Sequence, residues 1–126
     1  MNEVVLDTNF LMMLVERPSN IIESVYRVLN PAVLEVPSCV TDELIRISSS
    51  RHVKKSKIAA LSLEIVKSNM KVIEVSKEGS VDDKIISYAR GKENIFIATL
   101  DHELKKRLMR ENLKCVTLSN DKLILC

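Results

Sequence analysis

The chain is poor in several features, and each shortage excludes a class of protein. No apolar run approaches the roughly 20 residues that a transmembrane helix needs, and Met1–Leu6 leads into a predicted strand without a basic leader. Three cysteines, Cys39, Cys115 and Cys126, are widely spaced, with no CxxC-like pair and no nearby histidine. We therefore expect a cytoplasmic protein without membrane association, whose thiols are reduced and mostly buried, with neither a disulfide framework nor a zinc site.

Aromatic residues and net charge are also scarce, which limits the expected modes of binding. Two Tyr, two Phe and no Trp leave few side chains on which nucleic-acid bases can stack, so sequence-specific recognition of that kind is not expected. Nineteen Lys and Arg against seventeen Asp and Glu give a net charge of +2. That excess is too small to establish a polyanionic partner by itself.

Strand and helix patterns alternate along the chain, with no repeat or low-complexity tract. Five short apolar segments are typical of buried strands: Val4–Leu6, Val33–Val36, Met70–Val75, Ile95–Ala98 and Cys115–Leu118. Helical patterns lie between them, with a break at Pro18–Asn20, and Leu123–Leu125 are a candidate for a short extra edge strand. The alternation predicts one α/β domain over residues 1–126, a three-layer α/β/α sandwich with a mostly parallel five-stranded sheet.

Acidic residues follow the predicted strands or lie on the inward face of the helix that comes next. Asp7 ends the first strand, and Asp101 follows the fourth. Glu43 shares a helix face with Val40 and Ile47, so we expect it to point inward. Because the carboxyl ends of parallel strands meet along one edge of a sheet, these carboxylates are expected to share one pocket.

Two adjacent aspartates compete for a further place in that pocket. Asp82 shares a helix face with Ile85 and Ala89, so at the first turn it is expected to point toward the sheet edge. Asp83 lies three residues after Ser80, which is the spacing of a capping box and gives it a structural role. Asp82 is therefore the first choice for the pocket and Asp83 the alternative.

Each carboxylate also has an ordinary structural explanation. Asp7 can form an Asx turn where the strand ends, and Asp101 can be a helix N-cap, a position that Asp favours. Glu43 is harder to explain in this way, because a carboxylate on a buried face is rarely left unpaired.

Several carboxylates in one pocket require a cation. Two carboxylates about 4 Å apart repel by roughly 4 kcal/mol at an effective dielectric constant near 20, and Mg²⁺ or Mn²⁺ offsets that repulsion. Hard cations prefer oxygen ligands, so an all-acidic pocket indicates phosphate chemistry rather than zinc chemistry. Such an ion would lower the pKa of a bound water and shield a phosphodiester, and a second ion about 3.5–4 Å away would stabilise the leaving oxygen.

Basic residues cluster in two segments, 51–57 and 105–110. Basic flanks around an acidic pocket suit a nuclease, although each cluster taken singly is equally consistent with a solvated helix face. Binding of a nucleic acid through these side chains would be sensitive to salt. The candidate phosphate contacts are Arg51, Lys54, Lys55, Lys57, Lys105, Lys106 and Arg107.

Four motifs in register resemble those of the PIN-domain family. They are Val5-Leu6-Asp7-Thr8-Asn9, Pro37-Ser38-Cys39-Val40 leading into Glu43-Leu44, Val81-Asp82-Asp83-Lys84-Ile85, and Ala98-Thr99-Leu100-Asp101. The resemblance spans nearly the whole chain and implies a magnesium- or manganese-dependent ribonuclease fold. It also implies a set of catalytic and metal-binding carboxylates, which are Asp7, Glu43, Asp82 or Asp83, and Asp101. Two polar residues, Asn9 and Thr99, would hold these carboxylates in place.

The leading hypothesis is a metal-dependent endoribonuclease, either an RNA-processing enzyme or a VapC-type toxin. The doubled aspartate resembles archaeal and ribosome-processing members more than many toxins. The expected partners are RNA, an antitoxin or a ribosome-assembly factor, and a second copy of the chain, for which Phe10, Met12 and Met13 are candidate contacts unless they pack in the core. Two alternatives remain: a non-catalytic RNA-binding or assembly factor on this fold, and a phospho-acceptor receiver-like module, which ranks low because its paired acids would follow strand one rather than strand three.

Overall fold

The computed structural model describes residues 1–17 and 20–126, so two residues of the expected break, Pro18 and Ser19, lie outside the described part of the chain. Six strands and six helices follow one another in the described residues. Their order is β1 (Asn2–Leu6), α1 (Thr8–Glu16), α2 (Ile21–Val28), β2 (Ala32–Pro37), α3 (Ser38–Ser48), α4 (Val53–Asn69), β3 (Lys71–Ile73), α5 (Val81–Ala89), β4 (Ile95–Ala98), α6 (His102–Arg110), β5 (Lys114–Ser119) and β6 (Lys122–Leu125).

The strands form one sheet in the order β3-β2-β1-β4-β5-β6. All neighbouring strands from β3 to β5 are parallel, and β6 runs antiparallel to β5. From β1 the chain builds outward through β2 and β3, and then from β4 outward on the other side. The order of the strands therefore reverses between β1 and β4, and a crevice opens beyond the carboxyl ends of these two strands.

The sheet has six strands rather than the expected five. The sixth strand contains the candidate edge segment, and it exists because Asn120 and Asp121 form a two-residue turn with positive φ values of 51° and 61°. Asn and Asp tolerate this left-handed backbone, and such turns join antiparallel strands directly. Apolar periodicity could not establish β6, because only Leu123 among its four residues is even partly buried.

The same hairpin makes the expectation of three reduced thiols wrong. Cys115 and Cys126 face each other across the β5–β6 ladder, where their backbones exchange hydrogen bonds of 2.8 and 3.2 Å. Their Cα atoms are 5.0 Å apart, and the two side chains form a disulfide. The pairing depends on β6, which the spacing of the cysteines does not reveal. Cys39 is a half-buried free thiol.

Helices cover both faces of the sheet, which confirms the three-layer sandwich. Val4 and Leu6 of β1 belong to the core beneath α1 to α4, whereas Val5 belongs to the core beneath α5 and α6. Successive residues of the strand thus point to opposite layers. Among the described helices, none combines the length and the hydropathy needed to cross a membrane.

The apolar residues of α1 pack mainly within the chain. Phe10 and Met13 are buried in the core beneath α1 to α4, and Met12 is half-buried against it. Core packing therefore accounts for Phe10 and Met13, and Met12 is the one of the three candidate homodimer contacts that keeps substantial exposure.

A polar cluster lies between the sheet and α5. Glu35 on β2 is only 2% exposed, and the hydroxyl oxygen of Tyr88 lies 3.1 Å from Glu3 Oε1 and 3.4 Å from Glu35 Oε1. Lys92 Nζ is 3.5 Å from Glu3 Oε1. Burial, followed by the charge of Glu3, raises the pKa of Glu35 to about 7. The Glu35 carboxyl is therefore partly protonated at neutral pH.

The raised pKa of Glu35 predicts a loss of stability with rising pH. The unfolded chain releases this proton near pH 4.5, whereas the folded chain keeps it until about pH 7, so stability falls between these values. We expect Glu35→Gln, which stays neutral, to raise the free energy of unfolding at pH 8 by on the order of 2 kcal/mol. At pH 5, where Glu35 is protonated in the folded chain, the increase in the free energy of unfolding is expected to be much smaller. Urea unfolding across this range measures the gain, with the exposed Glu64→Gln as control. A gain independent of pH would contradict the assignment.

Candidate active site

A small cavity of about 140 Å³ lies at the carboxyl ends of β1 and β4. Four acidic side chains from four separate segments of the chain form much of its wall, together with two polar side chains and one apolar side chain. The lining residues are Asp7, Thr8, Asn9, Glu43, Val81, Asp82 and Asp101. The fold thus brings together carboxylates that are up to 94 positions apart in the sequence.

Asp7 is the most deeply buried of the four carboxylates, at 8% exposure. Its Oδ1 atom accepts a hydrogen bond of 2.9 Å from the backbone nitrogen of Phe10, and its Oδ2 atom accepts one from Thr99 Oγ1. Burial is the main reason that the pKa of Asp7 rises to about 6, and the charges of Asp82 and Asp101 add to the rise. Asp7 is therefore both the N-cap of α1 and a wall of the cavity.

Thr99 connects two of the acidic positions. Its side chain is fully buried, and its hydroxyl donates to Asp7 while accepting a hydrogen bond of 3.0 Å from the backbone nitrogen of Asp101. The second expected support, Asn9, is exposed at the cavity wall and donates no hydrogen bond to the four carboxylates within residues 1–17 and 20–126.

Asp101 is exposed and caps α6, as its ordinary explanation predicts. Its Oδ1 atom accepts hydrogen bonds of 2.8 and 3.3 Å from the backbone nitrogens of Glu103 and Leu104. Asp82 is half-buried, and burial followed by the charge of Asp101 raises its pKa. The two carboxylates therefore repel each other across the cavity.

Glu43 lies at the edge of the buried face of α3 rather than within it. Val40 and Leu44 are buried on this helix, whereas the Glu43 side chain is 32% exposed and lies 3.8 Å from Arg46 Nη2. The inward orientation expected from the spacing thus brings Glu43 to the cavity wall. Its ion pair with Arg46 is long and lies at the surface, so it contributes little to stability.

Asp83 is engaged outside the cavity. It forms a capping box with Ser80, with hydrogen bonds of 3.0 and 3.1 Å, and its Oδ1 atom lies 2.9 Å from Arg107 Nη2. These contacts lower the pKa of Asp83, the bond to the Ser80 backbone most strongly. Of the two aspartates, the structure therefore places Asp82 at the cavity and gives Asp83 structural contacts.

The basic segment 105–110 lies on α6, and its three candidate residues have partners within the chain. Lys105 Nζ lies 3.5 Å from Thr117 Oγ1, Lys106 pairs with Glu103 at 3.9 Å, and Arg107 pairs with Asp83. None of these three basic side chains lines the acidic cavity.

The segment 51–57 is more available for an external anion. Its four candidate residues, Arg51, Lys54, Lys55 and Lys57, are exposed. Lys54 lies 3.4 Å from Glu16, and both partners of this pair are well exposed, so the pairing is weak.

The residues of the cavity fit a hard divalent cation. Its charged groups are all carboxylates, and Thr8 Oγ1 is buried in the wall without a hydrogen-bond partner in the described residues. Burial first and mutual repulsion second raise the pKa values of Asp7 and Asp82, and a hydrated Mg²⁺ or Mn²⁺ would favour their charged forms. A water of that ion would satisfy the Thr8 hydroxyl. Within residues 1–17 and 20–126, no group of three or more His, Cys, Asp or Glu side chains has the spacing of a preassembled metal site.

The role of Thr8 was not expected from the sequence. The signal for it is its place directly after Asp7, at the first position of α1, where the backbone direction of β1 carries both side chains to the same edge of the sheet. Sequence position alone does not reveal that its hydroxyl is buried without a partner.

Comparisons with known proteins agree with the fold and with the order of the motifs. Ribonuclease VapC4 from Methanocaldococcus jannaschii is 32% identical over 124 residues, which cover 97% of this chain and 94% of that protein. The PIN domain endonuclease Utp24 is similar in structure, with a TM-score of 0.79 at 20% identity over 98% of this chain and 90% of that one. VapBC2 from Rickettsia felis, solved with a DNA fragment from its promoter, is also similar in structure. Its TM-score is 0.65 at 18% identity, over 93% of this chain and 99% of that one.

Because the two structural neighbours are only 20% and 18% identical to this chain, their similarity shows a common fold and nothing more. The sequence model of a family described as PIN like domain matches residues 4–121, which is most of the chain. This match confirms the resemblance seen in the four motifs and argues against a receiver-like module. The chain belongs to the PIN-like domain family.

Proposed function

We propose that this chain is a Mg²⁺- or Mn²⁺-dependent endoribonuclease. The observation that carries the proposal is the convergence of four carboxylates from four separate segments on one cavity, at the point where the strand order of the sheet reverses. Ribonuclease VapC4, which matches nearly the whole chain, supports RNA as the substrate.

Each part of the cavity has a role in this proposal. Four residues hold the ions and are the catalytic residues: Asp7, Glu43, Asp82 and Asp101. A bound Mg²⁺ or Mn²⁺ would lower the pKa of the attacking water and would shield the charge of the phosphodiester. Thr99 positions Asp7 and the Asp101 backbone, and Asn9 is an exposed polar residue of the cavity wall. The Thr8 hydroxyl donates to an oxygen within the cavity.

The segment 51–57 is the main phosphate contact in this proposal, because its basic side chains are exposed and its one ion pair is weak. Lys105, Lys106 and Arg107 already have partners within the chain and contribute less. The VapC4 relative favours a VapC-type toxin with an antitoxin partner over an RNA-processing enzyme that acts with ribosome-assembly factors.

Removal of the divalent metal is expected to abolish cleavage. We expect protein treated with EDTA to be at least roughly 100-fold slower, because the ion supplies several kcal/mol of transition-state stabilisation, and Mn²⁺ or Mg²⁺ to restore the rate. A labelled circular RNA is the best substrate, since its linearisation reports internal cleavage and excludes attack from an end.

Two outcomes would contradict the proposal. Cleavage at an undiminished rate in EDTA would remove the need for a metal. Binding of RNA with no turnover in either metal would favour the alternative, a non-catalytic RNA-binding or assembly factor on the same fold.

A further inference from the structure

The disulfide between Cys115 and Cys126 joins two residues that differ in exposure. Cys115 on β5 is fully buried in the core beneath α5 and α6. Cys126, which directly follows β6, is exposed. A small solute therefore approaches the bond from the side of Cys126, and exposed disulfides are more easily reduced than those enclosed in a core.

Apart from the disulfide, few contacts hold β6 in place within the described part of the chain. It is the edge strand and pairs with β5 alone, and only Leu123 of its four residues is partly buried. The turn before it adds an ion pair between Asp121 and Arg17, whose side chains are 78% and 61% exposed, so this pair adds little stability. A strand with so little packing is marginally stable by itself.

The disulfide compensates for this weakness because it closes a short loop. Its two cysteines are 11 positions apart. A cross-link over a loop of this length lowers the entropy of the open chain enough to shift an opening equilibrium by about 100-fold. The loop contains the β5–β6 turn, so the cross-link acts directly on the separation of these two strands. Reduction should therefore favour the detachment of β6 by about the same factor.

We propose that this disulfide is a site of thiol exchange and makes β6 a redox-sensitive switch. The thiolate of a low-molecular-weight thiol attacks the Cys126 sulfur, forms a mixed disulfide there and displaces the Cys115 thiolate, which takes up a proton. A second thiolate attacks the small-molecule sulfur of the mixed disulfide and releases Cys126, which is protonated in turn. Two small thiols are thereby oxidised to one small disulfide, and the protein disulfide is reduced to two thiols.

Reduction turns β5 into the edge strand of the sheet. Detachment of β6 breaks the backbone hydrogen bonds of 2.8 and 3.2 Å between Cys115 and Cys126. It also uncovers Leu118, which lies opposite Leu123 in the β5–β6 ladder. The Cys115 thiol stays in the core as a small apolar side chain. Because an unpaired sheet edge is a template for another strand, the switch controls whether this edge is open to a further chain.

Hydrogen exchange in the presence and absence of dithiothreitol tests the switch. We expect reduction to raise the exchange rates of the Ile124 and Cys126 amides about 100-fold. The amide of Val5 in β1, between β2 and β4, is the internal control and should not change. Equal exchange at Ile124 in the oxidised and reduced chain would overturn the switch, as would three free thiols in protein purified without reductant.

Cys126→Ser reproduces the reduced state without a reductant. The residue is exposed and lies outside both cores, so the fold should survive the substitution. We expect its Ile124 amide to exchange as fast as in the reduced wild type and not to respond to dithiothreitol. Cys39→Ser is the matched control, because it removes the half-buried free thiol, keeps the disulfide and should respond like the wild type. A response of Cys126→Ser to dithiothreitol would place the effect elsewhere and overturn the switch.

Glutathione identifies the sulfur that is attacked. Cys39→Ser is treated with reduced glutathione, the reaction is stopped with an alkylating agent, and peptides are mapped by mass. Cleavage after Lys114 and Lys122 puts the two cysteines of the disulfide on separate peptides. We expect glutathione on the peptide with Cys126 and the alkylating agent on the peptide with Cys115. An adduct chiefly at Cys115, or a disulfide that stays intact in glutathione, would overturn the exchange site.

This inference is independent of the proposed function. Exchange at the disulfide requires neither a divalent metal nor RNA, so its failure leaves the ribonuclease intact. Equally, a chain that cuts no RNA but releases β6 on reduction keeps the switch and overturns the ribonuclease.

Discussion

Replacement of Asp7 by Asn is expected to lower the rate of Mn²⁺-dependent RNA cleavage by at least roughly 100-fold, because it removes one of the carboxylates proposed to hold the ion. Asp7 is the most buried of the four, and it lies between the other acidic residues and the core. Its charge cannot be replaced by a neighbour, since Asp82 and Asp101 occupy other parts of the wall.

The fold should survive this substitution. Asn is as good an N-cap as Asp, so the hydrogen bond from the Phe10 backbone is kept. The bond that Thr99 donates to Oδ2 is replaced by one that the Asn amide nitrogen donates to the Thr99 hydroxyl, and the unfavourable burial of a charge is removed. We therefore expect the free energy of unfolding to change by no more than about 1 kcal/mol. Circular dichroism and thermal unfolding check this expectation.

Asp42→Asn is the control for this experiment. Asp42 is exposed on α3 and does not line the acidic cavity, so the same chemical change should leave cleavage intact. If Asp7→Asn cleaves RNA at the rate of the wild type, the cavity is not the active site. If it unfolds, Asp7→Glu, which keeps the charge and shifts its position, tests the same point by its dependence on the concentration of metal.

Asp82→Asn and Asp83→Asn are expected to affect different properties although the residues are adjacent. The first should lower the rate of cleavage and the second the thermal stability. Asp82 lines the cavity close enough to Asp101 for the charge of Asp101 to raise its pKa. Loss of its carboxylate should therefore lower the rate of cleavage by a factor comparable to that of Asp7→Asn. Asp83 holds the capping box and the pair with Arg107, so its loss should lower the Tm and leave kcat within about threefold of the wild type.

Kinetics and thermal unfolding of both variants at one metal concentration decide between the two aspartates. The reverse pattern, in which Asp83→Asn is inactive and Asp82→Asn is active, would assign the metal to Asp83 and require a rearrangement of the first turn of α5. A lower Tm with unchanged activity in both variants would show that α5 contributes no residue to the catalytic site.

The carboxyl-edge arrangement of the site could be predicted because it depends on local patterns. Asp7 and Asp101 directly follow apolar strands, and parallel strands bring such positions to one edge whatever lies between them. The preference for Asp82 over Asp83 came from two short-range rules, the helical face of Ile85 and the capping distance from Ser80, and neither rule needs tertiary contacts.

What could not be predicted depends on partners distant in sequence. Arg107 pairs with Asp83, 24 positions earlier in the chain, and no short-range pattern in the sequence indicates this partner. Glu35 occurs within an apolar strand pattern, and its raised pKa depends first on burial beneath α5 and then on the charge of Glu3. The β5–β6 disulfide required a turn at Asn120 that no apolar period marks.

The reversal of strand order between β1 and β4 has a consequence for how this chain tolerates change. Every acidic side chain of the cavity lies toward the end at which the strands exit, while the connections that enter the strands, such as 90–94 before β4, lie at the far end of the sheet. Lengthening of an entry connection is therefore remote from the cavity, and in residues 90–94 it would affect contacts away from the cavity, such as that of Lys92 with Glu3. Lengthening of an exit connection would instead move a single carboxylate out of alignment with the other three.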